Sequence, residues 1–267
     1  MDLKALWKTE FQPEIHRQMW DSAAQDYVKK PIPAVDEHSF LKLMQQRGVL
    51  QNDASVLDIG CGAGTLTLAL APYVKQAVGC DISEKMIAGA KAQAAELGMD
   101  SASFHCLDWH AESLEHLNWE GKFDVVFAHQ TPAISDYDTF DKMVRCARKA
   151  CFFRANTRRH DGVLSQALAQ IGIRQDNAQK DATIAYAFAY LWEKGYEPNI
   201  QYHKEIWHPA KTLDAQIAWT LSRARLCRDI TPEEERVIAD YLRTISEHGT
   251  ITETITTTIV TMDWLAL

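Results

Sequence analysis

The sequence lacks the features that mark exported, disulfide-bonded or membrane-spanning proteins. No apolar run approaches the roughly 20 residues of a transmembrane helix, and no secretory signal is recognisable. No CxxC pair occurs among the six cysteines, which are scattered at Cys61, Cys80, Cys106, Cys146, Cys151 and Cys227. We therefore expect reduced thiols, no metal site, no membrane association and a cytoplasmic location.

Positive charge is also scarce. The 28 Lys and Arg residues against 36 Asp and Glu residues give a net charge of −8. This balance argues against bulk nucleic-acid binding and against attraction to an anionic membrane, although a local basic groove is compatible with it. The length of 267 residues suffices to bury a full core.

The stretch from Val56 to Leu70, VLDIGCGAGTLTLAL, combines a short strand, a glycine turn and the start of a helix. Glycines at three alternate positions allow a tight turn and the close approach of a ligand. The following helix, from Thr65, offers unpaired N–H groups at its N-terminus. The stretch predicts a nucleotide-binding corner, but a lone glycine turn is weak evidence, so the surrounding sequence decides.

Three further strands are predicted, and each ends at a polar residue. Gln76–Cys80 is followed by Asp81, at about the twenty-residue distance where a Rossmann-like unit places an acid for a ribose. Ser103–Leu107 is followed by Asp108, and Phe123–Ala128 runs into His129. Helical stretches separate these strands, which predicts a parallel sheet with ligands at its carboxyl edge.

The pattern D-x-G-C-G-x-G-T, from Asp58 to Thr65, resembles motif I of the class I S-adenosylmethionine (SAM)-dependent methyltransferases. Thr65 stands where the dinucleotide fingerprint requires a small residue, which disfavours a Rossmann oxidoreductase. The resemblance covers roughly residues 20–154 and implies SAM as cofactor. It also implies an α/β fold with a doubly wound, mostly parallel seven-stranded sheet, an antiparallel last strand and a helical insertion, or lid, before that strand.

The same resemblance implies roles for individual residues. The glycine loop packs against the methionine part of SAM, and Asp58 supports the loop and the amino end of the cofactor. Asp81 binds the ribose and Asp108 the adenine amino group, with Trp109 or Ile82 flanking the ring; the alternative for each acid is a solvated carboxylate at a strand end. The implied cofactor-binding set is Tyr27, Asp58, Gly60, Cys61, Gly62, Gly64, Asp81, Ile82, Met86, Asp108, Trp109 and His129.

Candidates for the acceptor side lie before and after this core. A helix predicted over Leu3–Tyr27 carries Trp20 and Tyr27 on one face, where they either close over the cofactor or simply pack on the core. His129-Gln130-Thr131-Pro132 occupies motif IV without the second proline and aromatic of enzymes that methylate DNA bases or glutamine amides. His129 is either a general base or a residue that lines the pocket.

The C-terminal part is predicted to complete the sheet. A fifth strand over Ala150–Arg154 precedes a polar run interpreted as a solvated loop. Asn199–Trp207 and Ile251–Leu265 predict an antiparallel hairpin edge, and the helical insert between them, Thr212–Glu247, is by resemblance a substrate lid or else a cap or dimer contact. The predicted substrate contacts are Trp20, Gln130, Thr131, Trp207, Trp219 and Arg223.

The predicted activity is SAM-dependent methyl transfer to a small apolar or anionic acceptor by in-line displacement. The alternatives are an RNA- or protein-directed methyltransferase, which requires a basic face near residues 154–159 and 223–228, and a non-catalytic SAM-binding protein. An oligomer is compatible with the sequence. The chain is divided into an N-terminal lid (1–50), a SAM-binding core (51–160) and a C-terminal completion with the insert (161–267).

Overall fold

Helices and strands alternate in the computed structural model, which describes residues 2–174 and 178–267. The strands of this described part are β1 (Ser55–Ile59), β2 (Gln76–Asp81), β3 (Ala102–Cys106), β4 (Phe123–His129), β5 (Ala147–Asp161), β6 (Asn199–Trp207), β7 (Ala210–Thr212), β8 (Thr250–Thr252) and β9 (Ile255–Leu265). Its α-helices are α1 (Leu3–Leu6), α2 (Pro13–Val28), α3 (Ser39–Gln46), α4 (Thr65–Leu70), α5 (Glu84–Glu96), α6 (Leu114–Leu117), α7 (Tyr137–Cys146), α8 (Gly162–Ala169), α9 (Ala178–Glu193), α10 (Leu213–Arg225) and α11 (Pro232–Ile245).

Seven of these strands form one sheet in the order β3-β2-β1-β4-β5-β9-β6. β1 to β5 run parallel to one another, whereas β9 is antiparallel to both β5 and β6. The predicted α/β fold, with a mostly parallel sheet and an antiparallel last strand, is therefore confirmed. Because β2 and β4 flank β1 on opposite sides, the order of strands reverses at β1, and sheets of this type bind ligands there at their carboxyl edge.

Helices cover both faces of the sheet. α1, α7 and α9 pack on one face, where the rings of Trp7 and Phe140 lie 5.3 Å apart. α3 and α4 pack on the other, where Phe40 lies 5.6 Å from Phe127 of β4. Coverage of both faces explains why the central strands are continuous apolar runs.

The N-terminal helix differs from its prediction, which was one helix over Leu3–Tyr27. The chain instead forms α1, a break, and then α2, whose first residue is Pro13. Proline favours a helix start because it has no N–H to donate. In the break Trp7 is buried and its indole N–H donates to the Ser135 carbonyl at 2.9 Å. A single long helix would lift this anchor out of the core.

The fifth and last strands also differ from their predictions. β5 continues to Asp161, so the polar run predicted as a loop is a strand that pairs with β9. The last strand is divided at Glu253, whose N–H donates to the Pro209 carbonyl at 3.0 Å. The Glu253 carboxylate in turn accepts from the N–H groups of Val163 and Leu164. β8 consequently pairs with β7 in a separate ribbon, and only β9 joins the large sheet.

The predicted helical insert is present as α10 and α11. A capping box between Thr231 and Glu234 starts α11, with Pro232 at its first position. Ala224 and Ile238 pack with Leu164 of α8 in a separate apolar cluster. The insert thus has its own core beside the sheet.

Among residues 2–174 and 178–267, no helix has both the length and the apolar character needed to cross a bilayer. The division into three regions stays a prediction. Its first region includes Met1 and its third includes residues 175–177, which lie outside the described residues.

Candidate functional site

The glycine loop lies between β1 and α4 and is held against the neighbouring strands. The N–H groups of Gly60 and Cys61 donate to the Cys80 carbonyl of β2 at 2.8 and 2.9 Å. Gly60 has a φ of +70°, and a Cβ there would lie 1.9 Å from the Thr131 hydroxyl. Gly64 has a φ of +77°, and its Cβ would lie 2.6 Å from the Phe104 ring. Both positions require glycine for conformation and for space.

Gly62 is different, because its missing Cβ points toward open space. Its φ is +55°, and the nearest heavy atom is the Met86 sulfur at 4.0 Å. Its N–H donates to the Asp81 carboxylate at 2.9 Å, and the N–H of Ser83 donates to the other oxygen at 2.9 Å. Burial raises the pKa of Asp81. The second-strand acid therefore lies directly beside the loop, as predicted for a ribose contact, and that role stays a prediction.

Asp58 lies underneath the loop. Its carboxylate is buried and accepts from the Thr67 hydroxyl of α4 at 2.7 Å. Burial raises its pKa to about 7, while the Thr67 hydrogen bond opposes the rise. This contact joins β1 to the helix after the loop, which is the supporting half of its predicted role.

α2 covers the loop. Ala24 of α2 packs with Ala63 and Met86, and Trp20 and Tyr27 border this cluster. The two aromatic rings meet edge to face at 5.9 Å. These contacts are those of packing on the core beside the loop, and closure of the aromatics over the cofactor stays a prediction.

A polar contact that sequence reasoning missed fixes α2 over the loop. The Asp21 carboxylate accepts from the Ser83 hydroxyl and from the Lys85 N–H at the start of α5. Ser83 itself caps α5, where its hydroxyl accepts from the Met86 N–H. The only sequence signal for this bond is the Asp that follows Trp20.

Asp108 and Trp109, which follow the third strand, differ in how deeply their side chains are buried. Asp108 is half-buried, and its carboxylate accepts from the His110 N–H at 2.9 Å. Trp109 is 3% exposed, and its indole N–H donates to the Thr139 carbonyl in the core below α7. The indole of Trp109 is thus buried, whereas Ile82 is half-buried directly after Asp81. That Trp109 or Ile82 flanks the adenine ring stays a prediction.

The segment after β4 faces the glycine loop through Thr131. Gln130 adopts a φ of +51° and donates from its amide to the Asn156 side chain at 2.6 Å. Its N–H donates to the Arg154 carbonyl of β5 at 2.7 Å. These bonds hold Gln130 and Thr131 at the carboxyl edge, where acceptor contacts were predicted.

His129 points instead toward α3. Its ring lies 4.9 Å from Phe40 and 5.4 Å from His38. Burial, together with the nearby charges of Arg154 and His38, lowers its pKa to about 3. At neutral pH its ring is therefore uncharged and weakly basic, and the choice between a general base and a pocket-lining residue stays a prediction.

α10 brings a second aromatic group to α2. Trp219 lies 6.3 Å from Trp20, and Lys211 of β7 lies over its ring at 4.3 Å. The Arg223 guanidinium lies 5.8 Å from the same ring. Two predicted substrate residues, Trp20 and Trp219, are thus in one cluster although they are far apart in sequence.

Trp207 and Arg159 border this cluster. The Arg159 guanidinium lies 5.3 Å from the Trp207 ring, and the Trp207 indole N–H donates to Glu205 at 2.7 Å. Arg159 also affects the pKa of Tyr27 and of Arg223, so its charge faces both α2 and α10. Lys211 was missed, because a three-residue strand formed only by pairing with β8 has no local signature.

Residues 50–187 match the profile of a protein family described as "Methyltransferase domain". The matched segment covers more than half of the chain. It begins before β1 and ends within α9, so it includes the glycine loop, Asp81, Asp108 and the segment after β4.

Curated relatives match over segments of different lengths. A tRNA (uracil-5-)-methyltransferase homolog A from Mus musculus is 32% identical over 111 residues, which is 40% of this chain and 17% of that protein. An uncharacterized protein from Haemophilus influenzae is 26% identical over 188 residues, which is 68% of this chain and 65% of the relative. This chain therefore spans less than two thirds of the length of either relative.

Solved structures match over most of the chain. A candidate methyltransferase from Bacillus halodurans superposes with a TM-score of 0.52 at 17% identity, covering 86% of this chain and 99% of that one. The cyclase SpnF superposes with a TM-score of 0.51 at 16% identity, covering 93% and 96%. At these identities the likeness concerns the fold.

Proposed function

Since this chain belongs to the class I SAM-dependent methyltransferase family, we propose that it transfers the methyl group of SAM to a small molecule. The acceptor would lie between α2, α10 and the carboxyl edge of the sheet. This proposal names the kind of acceptor, which family membership leaves open, because methyltransferase acceptor sites are built from the variable parts of the fold.

The residues around the glycine loop fit the cofactor. The open space at Gly62 leaves room for a ligand against the backbone, and the adjacent Asp81 offers a carboxylate to a diol. Trp109 or Ile82 would flank the adenine ring, and Asp108 would accept from its amino group. When bound, SAM supplies an activated methyl group on its sulfonium, so the protein mainly has to align the acceptor.

The observation that carries the proposal is the aromatic cover above this loop. Trp20 of α2 and Trp219 of α10 approach to 6.3 Å, and Tyr27 extends the cover toward Met86. Aromatic side chains with a few polar groups are typical of small-ligand sites. A cover formed by α2 and extended by Trp219 of α10 would also shield an acceptor beside the loop from water.

The basic residues near the insert favour a small acceptor over RNA. A nucleic-acid surface needs exposed, unpaired cations to contact phosphates. Arg225 instead pairs with Glu235 at 2.5 Å, and Arg228 pairs with Glu234 at 2.7 Å. Arg154 is 5% exposed and pairs with Glu205. These three arginines of the two stretches named as candidate basic faces are therefore neutralised or buried, whereas Arg158 is exposed.

Methyl-labelled SAM tests this proposal directly. The purified protein is incubated with a small-molecule extract and, separately, with total RNA, and label transfer to each is counted. We expect label in the small-molecule fraction only. The RNA-directed alternative, suggested by the short matches to uracil-5 methyltransferases, predicts label in the RNA. Transfer to RNA alone would overturn the proposal.

A further inference from the structure

α10 carries two buried polar groups that lack a partner. Gln216 is 2% exposed and Thr220 is fully buried. Within residues 2–174 and 178–267, neither the Gln216 amide nitrogen nor the Thr220 hydroxyl makes a hydrogen bond. Buried donors are almost always satisfied in folded proteins, so each unpaired group needs an explanation. A ligand that accepts hydrogen bonds is one such explanation.

These two groups share a side of α10 with two of the predicted substrate residues. Gln216, Trp219, Thr220 and Arg223 follow the spacing i, i+3, i+4 and i+7, which places them along one side of a helix. The 6.3 Å contact between Trp219 and Trp20 turns this side toward α2. The apolar residues of α10, among them Leu213, Ile217 and Leu221, instead pack in the cluster with α8 and α11.

Two cations of the same region lack an ion-pair partner among the described residues. Lys211 and Arg223 both lie over Trp219, and the described residues form no salt bridge with either. Burial lowers the pKa of both groups, and the nearby Arg159 lowers both further. Lys211 and Arg223 thus have no ion pair among the described residues and lie near a third positive charge, that of Arg159. Such an arrangement favours the binding of an anion.

The acids that face these cations either accept hydrogen bonds from other groups or are exposed to solvent. Asp161 accepts from Arg159 through both carboxylate oxygens, at 2.9 and 3.0 Å. Glu253 accepts from two N–H groups at the start of α8, and Asp26 lies exposed on α2. Each raises the pKa of Lys211, and Asp161 also raises that of Arg223. None of them forms an ion pair with Lys211 or Arg223.

We infer that the methyl acceptor carries a carboxylate or phosphate group, bound by Arg223 and Lys211 with Gln216 and Thr220 as neutral donors. The planar guanidinium of Arg223 suits the paired oxygens of either anion. The Trp219 ring would pack against the acceptor's carbon skeleton. This inference rests on the proposed function, because it names the class of molecule that the same site takes.

Calorimetric titration with three probes of one skeleton tests the inference. SAM-saturated protein is titrated with benzoate, phenyl phosphate and the uncharged benzamide. We expect at least one anion to bind tenfold or more tightly than benzamide, and the stronger of the two identifies the group. Equal binding of all three, or no binding of either anion at millimolar concentration, would overturn the inference.

Matched variants show whether the named residues are responsible. Arg223→Gln should weaken anion binding at least tenfold while SAM affinity stays within twofold, which also shows that the variant is folded. Arg223→Lys should recover part of the loss. Arg225→Gln is the control, because Arg225 lies on the same helix but pairs with Glu235. Unchanged anion binding in Arg223→Gln would contradict the assignment.

The label-transfer assay separates this inference from the function on which it rests. Methyl transfer to uncharged small molecules, unaffected by Arg223→Gln, would overturn the anionic acceptor and leave the proposed function intact. Anion binding that depends on Arg223, combined with label in RNA alone, would overturn the proposed function and the acceptor assignment together, while identifying an anion site.

Discussion

The glycine loop and the helical cover above it are built in opposite ways. The loop and its acid come from one continuous unit, β1 to α5, in which each residue's position follows from the end of a strand. The cover collects side chains from α2, β5, β7 and α10, which are up to two hundred residues apart in the chain. The first arrangement suits a ligand common to a family, and the second suits a ligand particular to one member.

The largest effect is expected at the loop. Gly60→Ala would place a Cβ 1.9 Å from the Thr131 hydroxyl at a φ of +70°, so the loop must shift. We expect SAM binding to fall more than about a hundredfold, with overpacking and left-handed strain together costing about 2–5 kcal/mol of stability. Calorimetry and denaturant unfolding measure the two quantities.

The control for this variant is Gly98→Ala. Gly98 has a similar φ of +63°, but a Cβ there meets nothing within 4 Å. It should therefore lose only the strain, about 1–2 kcal/mol, and keep its SAM affinity. Equal SAM affinities in the two variants would show that the close approach of Thr131 does not shape the cofactor site.

The next effect is expected at Asp81. Asp81→Ala removes the acceptor of the Gly62 N–H and the predicted ribose contact. SAM affinity should fall by about 1.5–3 kcal/mol, the scale of hydrogen bonds to a charged group, or roughly ten- to a hundredfold. Asp100→Ala, an exposed acid between α5 and β3, is the matched control. If both variants bind SAM like the wild type, Asp81 is not a ribose contact.

A smaller and more selective effect is expected in the cover. Trp219→Leu removes the ring that contacts Trp20 and the two cations. The KM for the acceptor identified by label transfer should rise about five- to tenfold, on the scale of one aromatic contact, while SAM affinity is retained. Trp192→Leu, at a residue that is 64% exposed, should change neither quantity. A loss confined to SAM binding would show that Trp219 contacts the cofactor and not the acceptor.

The smallest kinetic effect is expected at His129, which belongs to neither group. Its folded-state pKa of about 3 lies below its ordinary value of 6.5, so the unfolded state binds more protons between these values. Its contribution to stability is therefore lost as the pH falls from 6.5 toward 3, by up to about 1.4 kcal/mol per pH unit. His129→Gln should flatten this part of the pH–stability curve and leave the turnover profile between pH 6 and 8 unchanged. If the variant lost one limb of the pH profile of turnover, His129 would be shown to act as a base.

Features set by the local sequence were predictable, whereas those set by long-range pairing were not. The places of Gly60 and Asp81 at the ends of β1 and β2 follow from local apolar runs and glycine spacing, whereas the seven-stranded sheet was expected from the family resemblance. The length of β5 was missed because its second half is a strand only through pairing with β9, a hundred residues later. The burial of the Trp109 ring was not predicted, because sequence spacing places a residue near a strand end but does not show which way its ring turns.

The acceptor side was predictable only in part. Trp20, Trp219 and Arg223 were identified by resemblance and composition, whereas Lys211 was found only through the short ribbon of β7 and β8. The pairing of Arg225 and Arg228 with acids of α11 was equally invisible, so the basic stretch looked like a candidate nucleic-acid surface.

Calorimetric titration of SAM into the wild type, Asp81→Ala and Arg223→Gln tests whether cofactor and acceptor are bound by separate groups of residues. We predict a tenfold or greater loss of SAM affinity in Asp81→Ala and a change below twofold in Arg223→Gln. A large loss of SAM affinity in Arg223→Gln, together with wild-type SAM affinity in Asp81→Ala, would show that the residues are not divided in this way.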